Sequence, residues 1–473
     1  MRVAHVARAL QENTRRLPEL ALLLLVAGLM RASQNAAQTT FPLLGHDLLG
    51  LGTPVIGDVA AVSSGTAVVV MLVIASRIPT SRARATLAVA LVSMATGLVL
   101  LAVADDLLLF VVGTLVLGMA SGVVPPILMT VVSTTKSSDS QSAGMAPGSR
   151  DRPLVLLGLV LSASLVAGPF AETAALNAFG GDLRLAIWAF VPVLLLGASV
   201  AGALARAEAR QPRGRSGWSD PVRMTGFTVE PPRPANSKEQ QSPVLNAVGG
   251  SSRNTSSATS PDLDSVGRNT TRRRVGIGEA WASWRFRVAL LAQVLYAFPF
   301  VGLVVFGALL SRHGYGLGPA GAEIAFGVFF ASSFLTRAVM AWRSPIAHKV
   351  GLTRAAVVLT IVGLASLGLG RGPGMLMAAM VVLGVPHGLT MPLASSLVAD
   401  GRPAWELPSV NAYMTATVQA VAMALPPLLG IAVGTFGYRG TFLILLAPVS
   451  LVGLAQIIAG RPREKRQGEP VQR

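Results

Sequence analysis

Apolar runs of about 20 residues recur along most of the chain, and this recurrence limits the fold more than any other feature. A run of that length crosses a bilayer as a helix, because hydrocarbon offers no other partner for the backbone N–H and C=O groups. Hydrophobic residues make up 52% of the 473, and charged residues make up only 13%, about half of what a soluble chain carries. The sequence therefore predicts an all-α membrane protein.

Twelve transmembrane helices can be placed without forcing any segment. The N-terminus is basic, with Arg2, Arg8, Arg15 and Arg16, and the first apolar run lacks a small-residue cleavage site. We therefore expect a retained first span and not a cleaved signal peptide. The approximate spans are 18–42, 52–75, 85–104, 107–131, 153–176, 184–205, 286–310, 319–342, 353–370, 374–398, 409–435 and 440–460.

Positive charge alternates along the connections between spans. The connections after spans 2, 4, 8 and 10, the long central segment and both chain ends are rich in Lys and Arg, whereas the opposite set holds most of the loop acids. Because basic loops stay in the cytoplasm, we predict a multi-pass protein of the cell membrane with both termini cytoplasmic. The formal net charge of +17 follows this topology, so no nucleic-acid partner is expected.

Residues 207–282 are rich in Arg, Pro, Ser, Asn and Gly and poor in bulky apolar side chains. Such a segment cannot bury enough apolar surface to offset the entropy lost on ordering, which predicts a disordered basic cytoplasmic linker. Its charges either rest on anionic lipid or are simply solvated. The linker separates an N-terminal six-helix bundle, 1–206, from a C-terminal six-helix bundle, 283–461, and residues 462–473 form a cytoplasmic tail.

The two halves carry a short repeated pattern. Val116-Leu117-Gly118 in span 4 recurs 266 residues later as Val382-Leu383-Gly384 in span 10. The glycine and proline that follow match at the same offset, at Gly122, Gly388, Pro126 and Pro392. The basic loops after spans 2 and 8 pair at an offset of 272, which implies a length difference of a few residues between spans 2 and 4. Repeated halves around a midplane site are typical of secondary transporters.

With these features the chain resembles the major facilitator superfamily, apart from the linker and tails. That family has two pseudo-symmetric six-helix bundles, a long cytoplasmic loop between them, and a basic loop after spans 2 and 8, roughly Gly-x-Leu-Ala-Asp-Arg-x-Gly-Arg-Arg. The first loop keeps Ala75, Arg77 and Arg82, and the second keeps Ala347, Lys349, Gly351 and Arg354. The resemblance implies a secondary transporter that works by alternating access, with gating loops at Arg77, Arg82, Lys349 and Arg354.

Span 5 carries Gly168-Pro169, which resembles the glycine-proline motif of proton-coupled exporters in that superfamily. Glu172-Thr173 stands where those exporters usually have two further glycines. The resemblance favours an antiporter that carries out efflux, with import as the alternative. Proline is also common in membrane helices, so Pro169, Pro126 and Pro392 are predicted to kink their helices.

Polar side chains form a stripe in span 1. Arg31 lies near the membrane midplane, and Gln34, Asn35 and Gln38 follow at positions that share one helical face. Such a stripe either holds neighbouring helices by hydrogen bonds or binds substrate, and the family resemblance, in which span 1 lines the central cavity, favours substrate binding. The planar guanidinium suits a carboxylate or phosphate.

Two acids are candidates for carrying a coupling proton or pairing with Arg31. Asp58 lies in the outer part of span 2, where hydration alone would also explain it, and Glu172 lies deeper in span 5 beside Gly168-Pro169. A carboxyl group in a low-dielectric cavity can hold a proton, so both are candidate proton-coupling residues.

The second half offers uncharged candidates for the substrate site. His387 lies near the middle of span 10, as a binding residue or as a packed hydrogen-bonding partner. Arg337 is close enough to the inner end of span 8 to reach the surface, and we assign it no substrate role. The further substrate-binding candidates, on single faces of spans 7 and 11, are Gln293, Tyr296, Asn411, Thr415 and Gln419.

The remaining functional classes lack their motifs. The chain has no Cys, no phosphate-binding glycine loop and no sequence cluster of metal ligands, so neither a cofactor nor a metal is expected. A membrane-embedded lipid-modifying enzyme and a non-transporting receptor remain the alternatives from other classes. We predict a monomeric secondary transporter, not an enzyme, whose partners are a small-molecule substrate, the lipid bilayer and protons.

Overall fold

The computed structural model describes residues 2–73, 78–134, 152–210, 277–343, 348–400, 402 and 406–460. Within these residues the chain is a bundle of long helices without strands. Apolar side chains cover both the buried and the exposed faces of the helices, as expected where the surrounding solvent is hydrocarbon. Eleven helical segments are long and apolar enough to cross a membrane, so the protein is a multi-pass membrane protein.

The helices lie close to the predicted spans, and we keep the span numbers for them. Spans 1 to 5 are Arg2–Leu43, Thr53–Val73, Ala83–Ala102, Leu107–Thr134 and Arg152–Ala178, and span 6 comprises Leu183–Trp188 and Phe190–Arg210. Spans 7 to 10 are Trp284–Leu309, Pro319–Trp342, Lys349–Leu369 and Pro373–Ala399. Two further helices, Leu407–Ile444 and Leu446–Ala459, complete the described chain.

The last apolar segment is one continuous stretch, Tyr413–Ala459, which gives eleven segments where twelve were predicted. Gly437 breaks it with a φ of 70°, which glycine adopts without steric cost. Leu429 and Leu445 would lie about 24 Å apart in a straight helix. A Cβ at Gly302 would nevertheless lie 3.5 Å from one and 3.3 Å from the other. The chain therefore folds back near Gly437, and we call the two arms spans 11 and 12.

The edges of the predicted linker are helical. Span 6 continues to Arg210, and a short helix, Ile277–Ala282, precedes span 7. Ala280 is fully buried in a cluster with Phe286 and Val410, so this helix packs on the bundle through its apolar side. The disorder predicted for 207–282 is therefore wrong at both edges, and residues 211–276 lie outside the described residues.

The sequence repeat has the same packing role in both halves. A Cβ at Gly122 in span 4 would overlap the carbonyl oxygen of Ala67 in span 2, and a Cβ at Gly388 in span 10 would overlap that of Ser333 in span 8. Ala67 and Ser333 are again 266 residues apart. Each glycine therefore allows its helix to approach the neighbouring backbone, at equivalent positions of two related halves.

The same offset holds on both sides of the basic loops. Gly97 in span 3 meets Leu117, and Gly363 in span 9 meets Leu383, two contacts that are also related by 266. The loop pairing at an offset of 272 is therefore wrong, because no residue is gained or lost between spans 2 and 4. At 266, Arg77 and Pro79 match Arg343 and Pro345.

The halves meet along spans 2 and 11, spans 5 and 8, and spans 1 and 7. A Cβ at Gly57 would overlap the carbonyl oxygen of Pro426, and a Cβ at Gly430 would lie 2.5 Å from that of Thr53. The Thr53 hydroxyl donates to the Gly430 carbonyl at 3.0 Å. These backbone contacts hold the halves together near the face that is predicted to be outside.

Candidate functional site

The polar stripe of span 1 divides into two roles. The Asn35 side-chain amide donates to the Leu165 carbonyl of span 5 at 2.9 Å, and the Gln34 amide donates to the Ser121 hydroxyl of span 4 at 2.9 Å. Arg31 Nη1 donates to Gln34 Oε1 at 2.9 Å, so its guanidinium is held by a residue that is itself fixed. Gln38 is exposed and does not join them. Both sequence interpretations therefore describe part of the stripe.

Arg337 lies in the centre of the protein and not at its surface. Its Nη1 donates to the Ser162 hydroxyl of span 5 at 2.9 Å, which bridges the two halves. Our assignment of Arg337 to the surface was wrong because helical side chains lean toward the N-terminus of their helix. Span 8 begins at the opposite face, so the Arg337 side chain points into the bundle and not toward the inner surface.

Arg31 and Arg337 come from opposite halves and interact electrostatically. Arg31 lies about 18 Å along the helix from Glu19, and its side chain leans toward the inner face, from which Arg337 leans away. Neither arginine forms an ion pair with any described residue. The centre of the bundle therefore holds two positive charges without an acidic partner.

Aromatic rings surround His387 beside these arginines. The His387 ring lies 4.7 Å from Phe300, 5.2 Å from Phe329 and 5.3 Å from Tyr296, measured between ring centroids. Arg337 Nη2 approaches the His387 carbonyl oxygen at 3.5 Å, and both arginines interact electrostatically with His387. The structure thus brings the predicted residues Arg31, Gln34, Tyr296 and His387 into one region, to which it adds Arg337.

Several other candidates lie away from this region. Asp58 is exposed and forms no ion pair with a described residue, so it does not balance Arg31. Asn411 and Thr415 are exposed, and Gln293 and Gln419 are half-buried, without hydrogen bonds to described residues. Their substrate role stays a prediction.

Two carboxyl groups from opposite halves meet around one hydroxyl group. The Thr39 hydroxyl of span 1 lies 3.2 Å from Glu172 Oε2 of span 5 and 2.8 Å from Glu323 Oε2 of span 8. Both glutamates are completely buried, and the second oxygen of each has no hydrogen-bond partner among the described residues. The sequence offered Glu172 but missed Glu323. The available signal was that Glu323 is the one acid within spans 7 to 12 as they were predicted.

The predicted gating residues make different contacts. Lys349 Nζ lies 2.7 Å from both carboxylate oxygens of Asp400, within the C-terminal half. Arg82 and Arg354 are exposed without ion pairs in the described part of the chain, and Arg77 lies outside the described residues. The gating role of these loops therefore stays a prediction.

The glycine of Gly168-Pro169 has a packing role. A Cβ at Gly168 would lie 2.6 Å from the carbonyl oxygen of Ala32, so glycine allows span 5 to approach span 1 next to Arg31. Pro126, Pro169 and Pro392 all lie inside continuous helices, and kinks at them stay a prediction.

Two related helical bundles with charged and polar side chains at their shared centre define a membrane transport protein. The model of the Major Facilitator Superfamily matches residues 313–473. Together with the fold, this match confirms the resemblance to that superfamily. No curated protein is similar to the chain in sequence.

Solved transporter structures share the fold over nearly the whole chain. The nucleoside transporter NupG is 13% identical, with a TM-score of 0.60, and the similarity covers 93% of this chain and 98% of NupG. A bacterial homologue of the human lysosomal transporter Spinster, in an inward-facing conformation, is 13% identical with a TM-score of 0.63, over 94% and 96% of the chains. A POT family transporter in complex with a peptide conjugate is 13% identical with a TM-score of 0.65, over 93% and 96%.

Proposed function

We propose that the protein is a secondary active transporter that carries a small organic anion across the cell membrane by alternating access, coupled to protons. The observation that supports the substrate class is the meeting of Arg31 and Arg337 without an acidic partner among the described residues. A charged side chain at membrane depth is costly unless a partner or water stabilises it. A bound carboxylate, phosphate or sulfonate would supply that partner.

The donor geometry and the neighbouring rings support an organic anion over an inorganic one. Each guanidinium is a planar fork that can bind a carboxylate or phosphate through two parallel hydrogen bonds. Gln34 and Ser162 hold one nitrogen of each guanidinium and leave other donors free. The rings of Tyr296, Phe300 and His387 form an apolar wall beside the arginines, which suits the body of an organic molecule.

Thr39, Glu172 and Glu323 support proton coupling. The Thr39 hydroxyl has one hydrogen atom, so it can donate to only one of the carboxyl groups at a time. Two charged carboxylates buried at this separation would repel each other strongly, and the closed arrangement therefore requires a bound proton. Because the two glutamates belong to opposite halves, separation of the halves would break the pair and change its hold on that proton.

Export is the direction we propose. It is supported by the Gly168-Pro169 pair of span 5, whose glycine packs against span 1 beside Arg31. Transporters that share this fold carry out import as well as export, so the direction of proton-driven flux in vesicles is the measurement that separates the two.

The test of the substrate class is transport by the purified protein in lipid vesicles. A panel of organic anions, matched neutral amides and organic cations is offered with an imposed proton gradient and an internal pH dye. We expect transport of one or more anions. Arg31→Gln and Arg337→Gln should each lower it about tenfold or more, because a hydrogen bond to a charged group contributes about 1.5–3 kcal/mol.

Arg371→Gln is the matched control, because Arg371 is exposed in the loop before span 10 and forms no ion pair with a described residue. Its transport should equal that of the parent protein. Transport of neutral or cationic solutes that is unchanged in both central arginine variants would contradict the proposal.

A further inference from the structure

Two imidazoles and one carboxylate converge where spans 1 and 7 end. His46 Nδ1 lies 2.9 Å from Asp47 Oδ1, and His313 Nε2 lies 3.3 Å from the same oxygen. The three ligating atoms all lie within 4.8 Å of one another. His46 and Asp47 belong to the N-terminal half and His313 to the C-terminal half, so the cluster spans the boundary between the halves.

The pseudo-symmetry of the fold builds this cluster. Both helices end in a π-helical turn, Leu44–Leu48 after span 1 and Leu310–Gly314 after span 7, at the offset of 266 that relates the halves. His46 thus corresponds to Arg312, and Asp47 corresponds to His313. The wider turn of a π-helix often occurs at functional sites, and here it directs the side chains of both turns toward each other.

Neighbouring residues fix the cluster in place. Arg312 Nη1 lies 2.9 Å from Asp47 Oδ2, which leaves Oδ1 turned toward the two imidazoles. The His313 ring stacks on Tyr438 with 5.7 Å between centroids, and the rings of His46 and His313 lie 4.7 Å apart. The carboxylate of Asp47 is 11% exposed and both imidazoles are about one-third exposed, so an ion can enter from solvent.

The donor set matches a particular class of ion. Two imidazole nitrogens and one carboxylate oxygen are the ligands of three-residue zinc sites that keep a fourth position for water. With metal–ligand bonds of about 2.0–2.2 Å, tetrahedral ligand atoms lie about 3.3 Å apart, close to the separations found here. Magnesium and calcium prefer sets of oxygen ligands, so they fit the cluster poorly.

We propose that His46, Asp47 and His313 bind a divalent transition-metal ion of the zinc class. Because the ligands come from both halves, the bound ion holds spans 1 and 7 together and keeps this face closed. The ion therefore acts as an inhibitor of transport from the face that is predicted to be outside. The binding itself does not depend on the proposed substrate or on protons.

The first test is calorimetric titration of zinc into the purified full-length protein, prepared with an affinity tag that contains no histidine. The chain has no Cys and five His, so few other strong ligands compete. We expect one site. His46→Gln and His313→Gln should each weaken it at least tenfold, because even the hydrogen-bond partners of metal ligands typically contribute 10- to 100-fold to affinity.

His348→Gln is the matched control, because His348 is exposed at the start of span 9, at the other end of the bundle. It should bind zinc as the parent does. Absence of binding to the parent protein, or equal binding by all four proteins, would overturn the proposal.

The second test asks whether the ion bridges the halves. Zinc should raise the thermal unfolding temperature of the parent protein and of His348→Gln but not of His313→Gln, because an ion held by one half alone cannot join them. In vesicles, external zinc should inhibit transport by the parent and spare His313→Gln. Equal stabilisation of the parent and His313→Gln would exclude bridging, whereas zinc binding without any transport activity would contradict only the proposed function.

Discussion

Residue-scale chemistry at Thr39 gives the sharpest prediction. Glu323→Gln and Glu172→Gln each leave the hydroxyl a neutral partner of nearly the same shape and remove one titratable group from the pair. We expect both variants to lose proton movement in vesicles while they still bind the substrate, because the anion site at Arg31 and Arg337 is separate. The measurement is proton flux by the internal dye alongside substrate binding by calorimetry.

Asp58→Asn is the informative comparison for this prediction. Asp58 is the other acid that the sequence suggested, and it is exposed, without an ion pair in the described part of the chain. Its variant should move protons normally. Proton flux that is lost in Asp58→Asn and retained in Glu323→Gln would reverse the assignment.

At this scale the sequence predicted residue types better than directions. Arg31, Glu172 and His387 stand out because polar groups at membrane depth are rare. Arg337 was misplaced because distance from a helix end was considered without the tilt of its side chain. Glu323 lies only four residues after Pro319, near the start of its helix, where an acid reads as interfacial. The His46–Asp47–His313 cluster could not be predicted, because its members are separated by 266 residues and meet only in the fold.

The helices themselves give a prediction through their repeated glycines. Gly122→Ala and Gly388→Ala each place a methyl group against the carbonyl oxygen of a neighbouring helix. Overpacking of this kind costs about 1–3 kcal/mol, and equivalent positions in two related halves should lose similar stability. Thermal unfolding of the purified variants measures the effect.

Gly158→Ala is the matched control for these two variants. Gly158 also lies inside a helix, but a Cβ there would meet nothing within 4 Å. Its variant should be as stable as the parent or slightly more stable, because alanine favours the helix. Unchanged stability in Gly122→Ala or Gly388→Ala would show that spans 4 and 10 can move apart without cost.

Helix positions were largely predictable, because the length of an apolar run and the thickness of a bilayer limit the same quantity. The loop register was not. Basic residues are common in loops, so Arg82 could be aligned with Arg354 by composition alone, whereas the contacts of Gly97 and Gly363 fix the register by geometry. The break at Gly437 was placed correctly as a turn, although the apolar sequence around it continues.

For the whole molecule, orientation in the membrane is the property to test. The absence of Cys allows single cysteines to report accessibility without background. Ser81→Cys lies in the loop after span 2 and Ala178→Cys at the end of span 5, and both positions are exposed. We expect an impermeant thiol reagent to label Ala178→Cys in intact cells and Ser81→Cys only after the cells are opened. The reverse pattern would invert the predicted topology.

The division into two halves was predictable from the repeat and the basic central segment, whereas the way the halves meet was not. A sequence shows which glycines recur, but Gly57 and Gly430 do not recur, and their partners lie in the other half. Contacts between halves depend on which conformation the protein adopts, and no periodic pattern records that choice.

Spans 2 and 11 touch through their backbones at Gly57 and Gly430. A bearing made in this way has no side-chain rotamers that must rearrange when one half turns against the other. Its clearance is a single hydrogen atom, so a methyl group at either position would act as a wedge that raises the free energy of this closed state and leaves the opposite state unchanged. The missing volume of two side chains therefore helps to set the balance between the two states, independently of any charge, proton or substrate.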